Sequence, residues 1–186
     1  KAVAGAGMPA VAVTDQSNMF AMVKFYRAAM AAGVKPIIGV DMWVRNPEQP
    51  TRPWRLVLLC KNQEGYRNLT ELVSRNYLEG QHQSIPMLDL EWLQGASGGL
   101  IALSGAREGD IGQAILAGHP NRARQLASHW ARVFPDRFYI EVPDNEQTRY
   151  TKDLPKEGAC GHKGKEVYKI KSATKFENWW YDERIT

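Results

Sequence analysis

The chain is 186 residues long, 44% hydrophobic and 24% charged, which suits one ordinary domain with a buried core and leaves too little for two large ones. Six Trp, seven Tyr and five Phe exclude a disordered polar tail as the whole story, and no apolar run approaches the roughly 20 residues of a membrane-spanning helix. The net charge of +4 is spread along the chain without a basic run, which reads as a solvated surface and not as a nucleic-acid groove.

The opening residues read as the end of a helix with no leader before them, so further sequence is expected upstream. Ala10–Thr14 is a short apolar run expected to be a buried strand. Met19, Met22, Val23, Tyr26 and Met30 then recur with helical spacing, and Gly33 closes that helix. Ile37–Val44 is a second strand, the proline-rich stretch Asn46–Pro53 a turn, and Trp54–Cys60 a third strand. Tyr66, Leu69, Val73 and Tyr77 mark a helix ending at Gly80, and Gln81–Pro86 is expected to be a loop. Gly99–Leu103 is a fourth strand. Asp110–Ala117 and Pro120–Phe134 are helices, the second with proline near its start. Phe138–Val142 is the fifth strand. Alternating strands and helices predict an α/β fold with mostly parallel strands.

Several catalytic signatures are missing. Gly5-Ala6-Gly7 lacks a third glycine and precedes a strand instead of following one, and there is no nucleophile-elbow motif. Cys60 and Cys160 do not form a disulfide framework, which fits a reducing compartment. Cys160 and His162 supply two of the four ligands a structural zinc needs. His119 and His129 flank a helix and are assigned no role. What remains lies at strand ends, where parallel α/β folds place their chemistry. Asp15, Asp41 and Glu141 are candidates to converge as oxygen ligands of a hard cation such as magnesium. Each also has an ordinary alternative, with Asp15 capping the next helix and Asp41 pairing with an arginine.

The segments Met8-Pro9-Ala10-Val11-Ala12-Val13-Thr14-Asp15-Gln16-Ser17-Asn18, Val23-Lys24-Phe25-Tyr26 and Lys35-Pro36-Ile37-Ile38-Gly39-Val40-Asp41 carry a resemblance. It continues through Glu64-Gly65-Tyr66-Arg67-Asn68-Leu69, Leu103-Ser104-Gly105, Gly109-Asp110-Ile111-Gly112 and Phe134-Pro135-Asp136-Arg137-Phe138-Tyr139-Ile140-Glu141. Over residues 1–142 the sequence resembles the N-terminal polymerase-and-histidinol-phosphatase (PHP) domain of bacterial DNA polymerase III alpha subunits, nearest the proteobacterial branch. The resemblance implies an incomplete distorted β/α barrel, truncated at both ends, belonging to a DNA-replication protein of the bacterial cytoplasm.

In many members of that family a His-x-His pair, Thr-Asp-His, Gly-x-Glu, a mid-domain His, a Glu and a late Asp-x-His hold a metal cluster. The corresponding positions here are Asp15, Gln16, Asp41, His82 and Glu141. Gln16 stands in place of histidine and Asp41 in place of glutamate, and both histidine-containing pairs at the ends are missing. A neutral amide is a weak ligand and aspartate is one methylene shorter, so the resemblance implies a degenerate site with no metal cofactor and no catalysis in this chain. The polymerase's magnesium-binding carboxylates belong to a palm domain outside it. The implied role is structural, with the proofreading exonuclease (the epsilon subunit), the rest of the polymerase and, through it, DNA as partners, and no membrane. The competing expectation is a metal-dependent phosphoesterase of the histidinol-phosphatase type.

Residues 143–186 carry no recognised segment and are expected to fall outside the family fold. Residues 1–150 hold 4 Lys and 12 Arg, whereas residues 151–186 hold 7 Lys, 1 Arg and a single leucine, Leu154. This change of vocabulary marks a divergent tail, expected to pack poorly and to give Cys160 and His162 no role.

Overall fold

A computed structural model describes residues 1–142; the expected tail, with Cys160 and His162, lies outside the described residues. The elements run α1 (Ala2–Gly5), β1 (Ala10–Gln16), α2 (Met22–Ala31), β2 (Lys35–Val44), β3 (Trp54–Cys60), α3 (Gln63–Leu78), β4 (Gln81–His82) and β5 (Ile85–Leu88). They continue with α4 (Leu90–Ala96), β6 (Leu100–Leu103), a 3₁₀ turn (Ala106–Glu108), α5 (Asp110–Leu116), α6 (Pro120–Val133) and β7 (Phe138–Tyr139).

The seven strands form one sheet in the order β4-β5-β2-β3-β6-β7, with β1 also paired to β2. β1 and β5 lie parallel to β2, and β7 lies parallel to β6. β3 is antiparallel to both β2 and β6, and β4 is antiparallel to β5. Five strands therefore point one way, and only β3 and β4 run against them. The connection from Val44 to Trp54 explains the first reversal, because it carries no helix and is too short for a parallel crossover. Among the described residues no ladder closes the sheet, which leaves an open, barrel-like α/β fold.

Val40, Met42 and Val44 of β2, Leu56 and Leu58 of β3, and Leu100 and Ala102 of β6 are buried together against the helices. Leu69 and Leu72 of α3, Leu93 of α4, Ile111 of α5 and Trp130 of α6 complete that core. Each fully buried leucine adds about 2 kcal/mol of apolar transfer. This alternation leaves Gly39, Asp41 and Trp43 on the other face of β2.

Local chemistry fixes the element ends. Asn62 caps α3, its Oδ1 accepting the Gly65 N–H at 3.0 Å, one turn earlier than the apolar spacing suggests. Pro120 sits in the first turn of α6, as its sequence position predicts. In the connection after β2, buried Asn46 accepts from Glu48 N and Gln49 N and donates to Arg52 O. Glu48 in turn pairs with Arg122 of α6.

Three sequence expectations are corrected. The expected loop at Gln81–Pro86 is a β-hairpin, with Gln83 and Ser84 at φ of 50° and 66° in its turn. α4 is an additional helix. The last strand ends at Tyr139 and not at Val142, because Ser104, just past β6, ends the ladder: its N–H bonds Tyr139 O, and its hydroxyl accepts the Glu141 N–H at 2.9 Å.

Candidate functional site

The five positions singled out in the sequence do not gather in one place. β1 and β2 pair with Asp15 beside Val40 and Gln16 beside Asp41. Laterally paired residues share a face and successive residues alternate, so Asp15 lies on the helix-packed side and Asp41 on the other. The expected convergence of Asp15, Asp41 and Glu141 is thus broken by a register offset of one residue. Asp15 is used locally: its Oδ2 accepts the Ala21 N–H at 2.9 Å at the start of α2, a favourable place for a carboxylate.

Gln16 and Asp41 remain on the opposite face. Gln16 Nε2 donates to the backbone carbonyl of Asp41 at 2.9 Å, and the Ser17 N–H donates to the same oxygen at 2.8 Å. The Gln16 side-chain amide thus holds backbone. Glu141 is placed beyond β7 by its bond to Ser104 and lies near enough for its charge to act on Asp41. His82 belongs to the β4–β5 hairpin, and no hydrogen bond or ion pair joins it to the other positions within the described residues.

Asp41 is 6% exposed. Its Oδ2 accepts Arg55 Nε at 2.6 Å, and Arg55 Nη1 stands 3.6 Å from Glu108 of the 3₁₀ turn. Burial raises the Asp41 carboxyl above its ordinary 3.8, and the Arg55 charge and hydrogen bond oppose that rise. Glu141 and Glu108 add to it by repulsion. The remaining oxygen, Oδ1, is buried with no hydrogen-bond partner, as are Ser17 Oγ and Glu141 Oε2.

These residues do not fit a divalent ion. Asp15 faces away, Gln16 is committed to backbone, and one oxygen of Asp41 is held by a guanidinium. Among the described residues no group of three or more His, Cys, Asp or Glu side chains is arranged to hold a metal. Sequence reasoning anticipated an arginine partner for Asp41 without naming it. The signal was present as a lone charge, Arg55, in the otherwise apolar strand Trp54–Cys60.

No described helix is long and apolar enough to cross a membrane. The PHP domain family matches residues 1–145. The chain is 55% identical over 142 residues to a DNA polymerase III subunit alpha of Pseudomonas aeruginosa, and 52% identical over 142 residues to that of Pseudomonas fluorescens; each match covers 76% of this chain. The Escherichia coli K12 subunit is 39% identical over 151 residues, 78% of this chain. The chain spans about 12–13% of the length of these relatives.

Proposed function

The chain belongs to the PHP domain family, and from that premise we propose that it serves as the structural PHP domain of a bacterial DNA polymerase III alpha subunit. The observation that carries this reading is the 55% identity to such a subunit across 142 residues. On this reading the domain holds no catalytic metal, works in the cytoplasm, and reaches DNA only through the polymerase it is part of. Nucleotidyl transfer and its magnesium ions belong to the rest of that subunit.

The state of the inner carboxylates supports a structural role over phosphoesterase chemistry. A metallophosphoesterase needs several preformed ligands to hold ions and activate water. Here Asp15 is engaged at a helix start and Asp41 in an ion pair. Neither is free to take up that task, which disfavours the histidinol-phosphatase type of activity.

The domain's partners are the remainder of the polymerase and the proofreading exonuclease subunit, for which it acts as a docking platform. A titration of the full chain with that exonuclease is expected to show saturable binding in the micromolar range. No signal with a folded chain would remove the docking role and leave only support of the polymerase.

A further inference from the structure

We propose that the cleft between α4 and α6, at the end of the sheet away from Asp41 and Arg55, docks an acidic peptide segment of a partner protein. Strand direction separates the two places. Ser97 precedes β6 and Arg137 precedes β7, and these two strands run parallel. Ser104 and Glu141 follow the same strands at their other ends. The open cleft has a volume of about 520 Å³. Its walls are Gln94 of α4, His129, Arg132 and Val133 of α6, and Pro135 and Arg137 in the turn before β7. It shares none of the positions singled out in the sequence.

Arg137 is the central group. Its Nη1 donates to the carbonyls of Ser97 and Leu100, each at 2.6 Å, and its guanidinium lies 5.8 Å from the Phe134 ring centroid. Both bonds use one nitrogen. Nε and Nη2 remain, the side-on edge through which arginine grips a carboxylate with two parallel N–H···O bonds. Among the described residues neither Arg137 nor Arg132 has an acidic partner, and Asp136 beside Arg137 pairs with neither. Arg132 alone would be an ordinary solvated charge in the last turn of α6. Arg137 is different, because it is half-buried and already held in one orientation. Little side-chain entropy is then lost when an anion arrives. Val133 and Pro135 add apolar surface to the same cleft, which suits an aliphatic side chain flanked by carboxylates. Nucleic acid fits less well, since a phosphate backbone calls for a track of basic residues and two arginines in one cleft do not make one. The inference goes beyond the docking role above by stating the chemistry of the docked segment, and it does not depend on which protein supplies it.

The test is calorimetric titration of the full 186-residue chain with a short capped peptide of alternating glutamate and leucine. Saturable binding at sub-millimolar concentration is expected, weakening as salt is raised. Arg132→Glu should weaken it at least about tenfold. That side chain is exposed and makes no described hydrogen bond or ion pair, so the fold should stand. Gln94→Glu, on the α4 wall of the cleft, should weaken binding too, and keeps the test decisive where Arg132→Glu fails to fold. Arg27→Glu, a matching charge reversal on α2, should leave binding unmoved, and a peptide of alternating glutamine and leucine should not bind. Absence of saturable binding would overturn the inference. Equal weakening by Arg27→Glu and Arg132→Glu would also overturn it, because net charge alone would then account for the binding. Equal affinity for the glutamine peptide would do the same. An oligothymidine strand that binds more tightly than the acidic peptide, and is lost in Arg132→Glu, would assign the cleft to nucleic acid and overturn the inference as well.

Discussion

Gly65→Ala is expected to cost about 4 kcal/mol, enough to lower the melting temperature by about 10 °C. A Cβ built on Gly65 would lie 1.9 Å from the carbonyl oxygen of Gly99 and 2.5 Å from its carbon. Both neighbours are backbone, so no rotamer change relieves the clash. Nor can Gly99 yield cheaply. Its φ of +68° suits glycine, and its carbonyl already accepts the Lys61 N–H at 2.9 Å. The preceding Gly98 carbonyl accepts Asn68 Nδ2 at 2.8 Å. Gly95, whose added Cβ meets nothing within 4 Å in helix α4, supplies the control. Gly95→Ala should be neutral or stabilise by up to about 1 kcal/mol. Urea unfolding of both variants checks the pair; equal behaviour would mean that α3 does not sit so close to Gly99.

Trp130→Ala is the second large loss, expected at about 5 kcal/mol. Trp130 is 2% exposed and stacks on Phe138 with centroids 5.9 Å apart. It thereby joins α6 to the last strand. Its Nε1 also donates to Asp110 Oδ2 at 2.7 Å, while Asp110 Oδ1 accepts the Ile111 N–H at 2.7 Å. Removing the ring leaves a cavity and a buried carboxylate short of a partner. Trp130→Phe keeps most of the packing and isolates the hydrogen bond, at about 2 kcal/mol.

The same pair sets a pH dependence. Burial raises the Asp110 carboxyl above 3.8, and the Trp130 hydrogen bond is the largest influence opposing it. The folded state therefore holds this proton more tightly than the unfolded chain does. Asp110 thus favours the fold most below 3.8 and loses that contribution as pH rises through its folded value. Trp130→Phe lets the carboxyl climb further, so its deficit against the unaltered chain should shrink on acidification. A deficit independent of pH would mean that the indole does not stabilise the charged carboxylate.

Much of the fold is legible in the sequence because the elements with long apolar periodicity carry it. Trp54–Cys60 has the bounds its residues suggest, and Pro120 marks the start of α6. The β4–β5 hairpin is hidden because Gln83 and Ser84 take left-handed φ values that Asn and Gly would normally advertise. α4 is hidden by its seven-residue length and by Gly95 inside it.

The candidate site is less legible than the fold. That Asp15 and Asp41 part company depends on a one-residue register between two strands, which no spacing along one chain encodes. Arg55 meets Asp41 from 14 positions away, and only the antiparallel turn between β2 and β3 brings them together. Family resemblance names the positions to inspect, but the use of each side chain is set by those pairings.

The account's central claim, a structural PHP domain without a metal-dependent activity, is tested most directly by elemental analysis of the full chain purified without chelator and equilibrated with zinc and manganese. The account predicts metal far below one ion per chain, unchanged in an Asp15→Ala/Asp41→Ala variant. Near-stoichiometric zinc or manganese that this variant loses would contradict it.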